Sequence, residues 1–493
     1  MKTGFDNDKY LKLQSQKIAE RVKEFGGKLY LEFGGKLFDD HHASRVLPGF
    51  MPDSKIVMLS TMKEQVEIVI VINAVDIAQN KLRSDVGITY DEDVLRLYDL
   101  LTNRGLYVGS IVISQFSESN NSAVNFQRKL ESHGIRVYRH YRIEGYPSDI
   151  PRIVSDEGFG KNEYVETSRN IVVVTAPGPG SGKMATCLSQ MYHDSIRGIK
   201  SGYAKYETFP IWNLPLNHPV NIAYEAATAD LNDVNMIDPW HMQAYGKSAV
   251  NYNRDVEVFP VLNAIFTKVL GASPYKSPTD MGVNMVGYCI SDDEACQQAS
   301  KQEIIRRYLA AKVSVRKGQV TSALTDKLQI IMSKLDLSEE DRKVLVEARK
   351  YAERKQRISA AIELQDGRMI FGKSSDLLSP ASAAVLNALK ALANLPDVNL
   401  ISPSALEPIQ TLKTESLGDI TSDLRCNEAL IALSVSAAVN PMAALALENL
   451  DKLCGCQMHI TAIPSHSDAK ILRRLGVQYT CDPVYSCKRV YFN

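Results

Sequence analysis

About 290 residues at the start of the chain alternate between apolar, β-branched runs and amphipathic helical patterns, and this alternation limits the fold more than any other feature. The runs are apolar at consecutive positions, which is typical of strands that are buried on both faces. Such strands occur in parallel sheets covered by helices. The sequence therefore predicts an α/β domain with a mostly parallel sheet, whose candidate strands are Leu29–Phe33, Glu67–Asn73, Tyr107–Ser114, Arg136–Tyr138 and Asn170–Thr175.

The strand signal disappears after this region and returns near the carboxyl end. Residues 291–357 predict long helices, with a capping box from Ser338 to Asp341. Residues 358–493 predict a second, smaller α/β domain with a hairpin turned at Asp366-Gly367 and a strand at Asn399–Ile401. The predicted organisation is an α/β domain over 1–290, a helical segment over 291–357 and a smaller α/β domain over 358–493.

Charge and hydropathy argue against two classes of partner. The chain of 493 residues carries 57 basic and 57 acidic residues, so no net field draws it to nucleic acid or to an anionic membrane. No apolar run approaches the roughly 20 residues of a membrane span, and the amino terminus lacks the apolar core of a signal peptide. We therefore expect a cytoplasmic protein that binds neither nucleic acid nor membranes. Assembly into a homo-oligomer remains compatible with the sequence.

The stretch "IVVVTAPGPGSGK" places a predicted strand before a glycine-rich turn, and a helical pattern follows. This order forms phosphate sites, because the turn presents backbone N–H groups and the helix N-terminus adds the positive end of its dipole. The lysine would reach the outer phosphates as a point charge. The predicted cofactor-binding residues are Gly178, Gly180, Ser181, Gly182, Lys183 and Thr186.

The turn departs from the P-loop consensus G-x-x-x-x-G-K-[ST] at two positions. Pro177 stands where the first glycine belongs, and Met184 replaces the hydroxyl residue that holds magnesium. Thr186 supplies the nearest hydroxyl, almost one helical turn past the lysine. The string "GPGSGK" still resembles the phosphate loops of nucleotide kinases, and the alternative is a structural turn without a ligand.

A second glycine-rich turn follows the first predicted strand. A turn at this place lies at the carboxyl edge of a parallel sheet, where such folds bind ligands. We predict that Gly34, Gly35 and Lys36 line the same crevice as the phosphate loop. The polar residues that follow the turn are Asp39, Asp40, His41, His42 and Arg45. A plain turn with solvated polar residues is the alternative.

The segment from Tyr203 to Gly246 is dense in groups that could do chemistry. It is broken by prolines, which suits the wall of a pocket, and contains Lys205, Glu207, His218, Glu225, Asp230, Asp233, Asp238 and His241. We predict Asp230 and Asp238 as ligands of Mg²⁺, because this ion prefers carboxylate oxygens. His241 would act as an acid or base, and the predicted catalytic residues are Lys183, Asp230, Asp238 and His241.

Two alternatives accompany these assignments. Asp76, just after the strand "VEIVIVIN", is a further candidate metal ligand of the Walker-B kind. Capped turns and a satisfied buried histidine would explain Asp230, Asp238 and His241 without any ligand.

Several long strings make the chain resemble an uncharacterised bacterial protein family, a domain of unknown function, over nearly its whole length. They include "GGKLYLEFGGKL", "HASRVLPGF", "VVTAPGPGSGK", "SGYAKYETFPIWNLPL", "HPVNIAYEAATADL", "NMIDPWH" and "VNYNRDVE". The resemblance implies an α/β amino-terminal region, a helical insert and a separate α/β carboxyl-terminal domain. Some members carry the label ATP-dependent peptidase, but the sequence shows no nucleophile elbow and no HExxH motif that would support it.

Three functional hypotheses follow. The first is a protein that binds ATP or another nucleotide, with Mg²⁺, and transfers a phosphoryl group or drives a ligation on a small metabolite. The second is a regulatory module that binds a nucleotide or phosphometabolite without hydrolysing it and signals through its helical and carboxyl-terminal domains; Met184 favours this interpretation. The third is a metal-dependent hydrolase that uses His41, His42 and nearby aspartates.

Overall fold

The computed structural model describes residues 2–38, 40–83, 87–419 and 421–486, so Asp39 lies outside the described residues. The chain divides into two units, Lys2–Ser300 and a second that begins at Lys301. The predicted fold class is confirmed, because the first unit is built on a parallel sheet with helices and the second on a smaller sheet with helices. Within the described residues, no helix is long and apolar enough to cross a membrane.

The first unit is organised around a seven-stranded sheet in the order β11-β8-β1-β7-β2-β5-β6, and every neighbouring pair is parallel. All five strands expected from the sequence form and belong to this sheet. The strands of the unit are β1 (Leu29–Phe33), β2 (Val66–Asn73), β3 (Leu82–Arg83), β4 (Ile88–Thr89), β5 (Tyr107–Phe116), β6 (Val137–Tyr141), β7 (Ile171–Thr175), β8 (Gly202–Tyr206), β9 (Asn235–Ile237), β10 (Val250–Tyr252) and β11 (Gly282–Val283).

Helices cover both faces of this sheet. They are α1 (Asn7–Glu24), α2 (His41–Val46), α3 (Ser54–Thr61), α4 (Ala74–Ala78), α5 (Tyr90–Asn103), α6 (Asn121–Ser132), α7 (Ile150–Ile153), α8 (Lys183–Ile196), α9 (Pro219–Ala227), α10 (Pro239–Tyr245), α11 (Asn253–Leu270) and α12 (Pro278–Met281). Helices α1, α3, α5 and α6 pack on one face, and α7, α8 and α11 pack on the other. Burial on both faces explains why β1, β2 and β7 appear in the sequence as almost unbroken apolar runs.

The strand order creates two places where ligands bind in folds of this kind. The chain leaves β7 toward β8 and leaves β2 toward β5, so the connections of these adjacent strands diverge. They diverge again between β8, which leads toward β11, and β1, which leads toward β2. Crevices form at the carboxyl ends of such strand pairs. We call the one at β7 and β2 the loop crevice and the one at β1 and β8 the charged crevice.

The second unit contains a four-stranded sheet in the order β13-β12-β14-β15. Its strands are β12 (Ser359–Glu363), β13 (Met369–Lys373), β14 (Gln457–Ile460) and β15 (Gln478–Cys481). Helix α13 (Asp293–Arg316) spans the unit boundary, and it is followed by α14 (Ala323–Ser333), α15 (Lys343–Lys355), α16 (Pro380–Leu392), α17 (Pro403–Thr411), α18 (Cys426–Ala437), α19 (Pro441–Leu447) and α20 (His466–Arg474).

Local predictions for the second unit have mixed outcomes. The hairpin at Asp366-Gly367 is confirmed by the antiparallel pairing of β12 with β13, and the capping box is confirmed by the bonds from Ser338 to Asp341. The strand predicted at Asn399–Ile401 is wrong. Those residues connect α16 to α17, where Leu400 is buried in the apolar core and Ile401 packs against it, so two adjacent apolar side chains produced the strand signal.

Candidate functional site

The glycine-rich turn occupies residues 176–182 and joins β7 to α8 in the loop crevice. Its carbonyl groups are held against neighbouring strands. Asn73, at the end of β2, donates its amide to the Gly180 carbonyl at 3.2 Å, and the Ser114 hydroxyl on β5 donates to the Ser181 carbonyl at 2.7 Å. The Ser181 hydroxyl donates to the Gly178 carbonyl at 2.9 Å and closes the turn. The turn is therefore fixed to the sheet edge through its acceptors.

The three glycines of the turn have different reasons to be glycine. A Cβ at Gly178 would collide with the Tyr90 hydroxyl. Gly182, at φ 93°, caps α8, and a Cβ there would lie 3.0 Å from the Ser114 hydroxyl. Gly180 also has a positive φ, 79°, but a Cβ there would meet nothing within 4 Å. Packing thus requires glycine at two positions, whereas open space adjoins the third.

The donors of the turn remain available. Among the described residues, none accepts a hydrogen bond from the backbone N–H groups of Gly180 through Ala185. The first bond of α8 runs from the Thr186 N–H to the Gly182 carbonyl at 2.9 Å. The 14-residue helix adds the positive end of its dipole at the same place. A row of unpaired N–H groups at a helix N-terminus favours an anion.

Lys183 is the first residue of α8 and is half-buried. Burial lowers the pKa of Lys183 below its ordinary value, and the Glu32 carboxylate opposes this shift. Lys205 and Arg254 also lower the pKa, so charges of the charged crevice act on Lys183. Within the described part of the chain, its ammonium makes no hydrogen bond or ion pair. An anion in the loop crevice would supply that missing partner.

The charged crevice begins with two buried charges on adjacent strands. Glu32 on β1 and Lys205 on β8 are register partners, so their side chains lie side by side on the face covered by α8 and α11. The Tyr203 hydroxyl donates to Glu32 Oε2 at 2.7 Å. Charges in the middle of a parallel sheet are costly unless paired, so this arrangement indicates a site rather than core packing.

Lys205, the neighbour of Glu32, also contacts two further carboxylates, those of Asp255 and Glu207. Its ammonium donates to Asp255, in the first turn of α11, and to the Tyr252 hydroxyl. It also forms an ion pair with Glu207 Oε1 at 2.7 Å. Burial alone would lower the pKa of Lys205, but Asp255 and Glu207 raise it above its ordinary value. Lys205 is therefore a permanent positive charge in the crevice.

Glu207, the carboxylate of that ion pair, has a pKa shifted toward the physiological range. Burial raises the pKa of Glu207 to about 7, Lys205 opposes the rise, and Asp255 adds to it. A carboxyl group with such a pKa can act as a general acid or base at physiological pH.

The second glycine-rich turn lies at the charged crevice. The Gly34 N–H donates to the Tyr206 carbonyl at 2.8 Å, and a Cβ at Gly34 would lie 3.2 Å from Glu207 Cγ. Gly35 and Lys36 are exposed farther along the turn, and Lys55 donates to the Lys36 carbonyl at 3.1 Å. The turn was predicted to share the crevice of the phosphate loop, and the structure places it at the neighbouring one.

Two more predicted residues lie near this turn. Lys55 forms an ion pair with Asp40 at 2.9 Å, and Asp40 also caps α2 through the Ala43 N–H. The ring of His42 on α2 packs edge-to-face against Phe209 at 5.1 Å. These contacts account for Asp40 and His42 by packing and capping.

Asp238, predicted as a metal ligand, is a helix cap. Its Oδ1 accepts the N–H groups of Trp240 and His241 at 3.0 Å each, and its Oδ2 accepts the Thr279 hydroxyl at 2.6 Å and the Thr279 N–H at 3.2 Å. Four donors occupy both oxygens of this fully buried carboxylate. The geometry therefore corrects the metal-binding interpretation in favour of the capping alternative.

The other predicted residues, Asp230, His241 and Thr186, lie outside the turn itself. Asp230 is exposed in a short 3₁₀ turn, and His241 Nδ1 lies 3.0 Å from the Ser277 hydroxyl. The Thr186 hydroxyl lies in the core 3.5 Å from His140 Nδ1, so it does not face the turn. Across the described ranges, no three His, Cys, Asp or Glu side chains are grouped as metal ligands.

Sequence reasoning included Lys205 and Glu207 among many candidates but missed Glu32, Asp255 and Tyr252. A signal for Glu32 existed, because a lone charge interrupts the apolar strand "LYLEF", as Lys205 interrupts "GYAKY". Asp255 and Tyr252 had no such signal, since both lie at the start of an ordinary helix pattern.

The fold and the loop define the class of protein: a two-unit α/β protein with a glycine-rich turn at the carboxyl edge of a parallel sheet. The chain matches the models of the domain of unknown function DUF1846, the N-terminal domain over residues 3–336 and the C-terminal domain over residues 340–491. It belongs to this family.

Relatives match over the whole chain. The UPF0371 protein of Corynebacterium urealyticum is 56% identical over 489 residues, covering 99% of this chain and 98% of the relative. The UPF0371 protein of Streptococcus thermophilus is 54% identical over 491 residues, covering 99% of each. That of Corynebacterium efficiens is 55% identical over 492 residues, covering 100% of this chain and 99% of the relative. The predicted resemblance to an uncharacterised bacterial family is confirmed.

Proposed function

We propose that the first unit binds the phosphates of a small ligand, ATP or another nucleotide, in the loop crevice. The observation that carries this proposal is the run of unpaired backbone N–H groups from Gly180 to Ala185 beside the unpaired ammonium of Lys183. Both features are positive, both lie at one helix N-terminus, and both gain partners from a phosphate.

Phosphoryl transfer to a small metabolite is the reaction that this geometry supports best. Such a reaction needs positioning and charge neutralisation more than covalent chemistry from the protein. The N–H groups of the turn would hold the inner phosphates, and Lys183 would reach the outer one. The charged crevice, whose Glu32 and Lys205 act on the charge of Lys183, would lie beside the acceptor of the transferred phosphoryl group.

Asp76 is the residue that could hold a magnesium ion that accompanies the phosphates. It lies in α4, three positions after Asn73, which is the last residue of β2 and is bonded to the turn. Its Oδ1 pairs with Lys81 at 3.1 Å, while its buried Oδ2 accepts no hydrogen bond from a described residue. That orphaned oxygen fits an Mg²⁺ ligand, and the ion would neutralise charge on the phosphates.

A second candidate function is nucleotide or phosphometabolite binding without turnover, as in a regulatory module. Two observations favour it. Met184 lacks the hydroxyl that P-loop enzymes use for magnesium, and Thr186 faces His140 in the core rather than the turn. Under this alternative the turn still binds the phosphates, but bound ATP is not converted to ADP.

Isothermal titration of ATP, GTP and inorganic phosphate, with and without Mg²⁺, tests the proposal. We expect wild type to bind a nucleotide and Lys183→Ala to lose roughly 30- to 150-fold in affinity, since a charge-assisted contact contributes about 2–3 kcal/mol. Lys129→Ala removes an exposed lysine of α6 and should bind as wild type does. Equal affinity in Lys183→Ala and wild type, or no binding at millimolar concentrations, would contradict the proposal.

A further inference from the structure

We propose that the second substrate binds in a cleft beside the charged crevice, that it presents a hydroxyl or amino group to Glu207, and that Glu207 accepts the proton of that group. This inference rests on the proposed function, which supplies the phosphoryl donor. It assigns a catalytic residue and a substrate class to groups that lie outside the phosphate loop.

The cleft lies at the carboxyl ends of β8 and β11. Its walls include Glu207, Trp212, Asn251, Thr279 and Asn284. The walls are fixed by hydrogen bonds, because the Asn284 amide donates to two backbone carbonyls at 3.2 Å each and the Trp212 indole donates to the Asn284 carbonyl at 3.1 Å. The cleft has space for about one water molecule beside Glu207, which is the size of the hydroxyl or amino group that a substrate would present there.

Glu207 is anchored through one oxygen only. Its Oε1 accepts the Tyr252 hydroxyl at 3.0 Å and pairs with Lys205 at 2.7 Å. Its Oε2 accepts no hydrogen bond from the part of the chain that is described, and this oxygen is not sealed in the core. One fixed oxygen and one open oxygen are what a positioned proton acceptor needs.

The groups that face Glu207 come from every element around it. They are Lys205 on β8, Tyr252 on β10, Asp255 on α11 and Tyr224 on α9. Lys205 stabilises the carboxylate, and burial together with Asp255 favours the protonated form. The balance sets the pKa of Glu207 near 7, where it can take up a proton and release it again.

The step conserves atoms and electrons. The substrate O–H or N–H bond breaks, its proton moves to Glu207 Oε2, and the oxygen or nitrogen lone pair forms a bond to the terminal phosphorus of the nucleoside triphosphate. The bond from that phosphorus to the bridging oxygen breaks, and the nucleoside diphosphate leaves with the electron pair. Glu207 then returns its proton to solvent.

Fluorescence of Trp212 tests the placement of Glu207 without any ligand. Trp240→Phe leaves Trp212 as the sole tryptophan, and it lies in the cleft with Glu207. We expect a fluorescence transition near pH 7 that disappears in Glu207→Gln. The His241 ring lies 6.1 Å from Trp212, so His241→Gln serves as the control and should keep the transition. A transition that persists in Glu207→Gln overturns the inference.

ATP hydrolysis, with water in place of the acceptor, tests the catalytic role. We expect ADP release by wild type to rise with pH through about 7, and Glu207→Gln to lose at least 100-fold and become independent of pH. The ATP affinity of Glu207→Gln should stay within about two-fold of wild type, whereas Lys183→Ala should bind ATP weakly. A failure of the catalytic proposal can therefore be distinguished from a failure of the binding proposal. Glu163→Gln is the control, because it removes a carboxylate that is ion-paired with Arg139 outside the cleft, and its rate should match that of wild type.

An unchanged rate and pH profile in Glu207→Gln would overturn the inference even if ATP binds as proposed. If wild type releases no ADP with water as acceptor, the Trp212 titration decides. Loss of its transition in Glu207→Gln then supports the assignment, and persistence rejects it.

Discussion

The loop crevice and the charged crevice lie at the same edge of one sheet, but they are built in opposite ways. The loop crevice comes from one continuous segment, 171–183, and it presents unpaired donors. The charged crevice is assembled from β1, β8, β10 and α11, and most of its charges are already paired. Unpaired hydrogen-bond donors at the ligand-binding edge of a fold indicate where a ligand binds. Paired buried charges indicate which side chains keep the site in its geometry.

The largest effect should come from removing the cation of the charged crevice. Lys205→Met leaves Asp255 buried without a partner, and breaking a buried pair costs about 3–5 kcal/mol. Both tryptophans lie in the first unit, so urea unfolding followed by tryptophan fluorescence reports on that unit. Lys129→Met is the matched control. A loss below about 1 kcal/mol would mean that these charges do not hold the crevice together.

Within the loop crevice, substitutions at two glycines distinguish the cost of a packing clash from the cost of an unfavourable backbone conformation. Gly180→Ala and Gly182→Ala both place a side chain at positive φ, but only the second meets Ser114. We expect Gly182→Ala to cost about 1–3 kcal/mol and Gly180→Ala roughly 1 kcal/mol in the free energy of unfolding. Equal costs would show that the contact with Ser114 does not shape the turn.

A change of pH should affect the charged crevice through Glu207. Because the folded-state pKa of Glu207 is raised above the unfolded value, folding favours its protonated form. Its stabilising contribution is fully present below about pH 4.5 and is lost as pH rises through about 7. Relative to wild type, Glu207→Gln should therefore gain about 1–3 kcal/mol between pH 5 and pH 8. Urea unfolding at the two pH values measures this, and parallel pH dependences would refute it.

The smallest effect is expected at Thr186, which lies outside both crevices. Thr186→Val should leave ATP affinity within about two-fold of wild type, because the hydroxyl faces His140 in the core. Titration of ATP into this variant checks the point. A loss of ten-fold or more would place Thr186 at the phosphates, as the sequence alone suggested.

The sequence predicted the continuous crevice and not the assembled one. The strand, turn and lysine of residues 171–183 are neighbours along the chain, so local periodicity and the P-loop pattern were sufficient. The register that places Glu32 beside Lys205 depends on strand order, and strand order depends on long-range packing that one sequence does not contain. The same limit applies to Asp238, because its second oxygen is occupied by Thr279, which lies 41 residues farther along the chain.

The fold class was more accessible than the site. Buried parallel strands are apolar on both faces, which makes β1, β2, β5 and β7 visible without knowledge of their partners. A short apolar stretch carries less information, as the absent strand at Asn399–Ile401 shows. There two adjacent apolar side chains, Leu400 and Ile401, produced the strand signal.

A crystal structure with a non-hydrolysable ATP analogue tests the central claim most directly. The account predicts phosphate density within hydrogen-bond distance of the N–H groups of Gly180 to Lys183, with the Lys183 ammonium turned toward the terminal phosphate. Phosphates bound elsewhere on the first unit, with the N–H groups of the turn left unpaired, would contradict it.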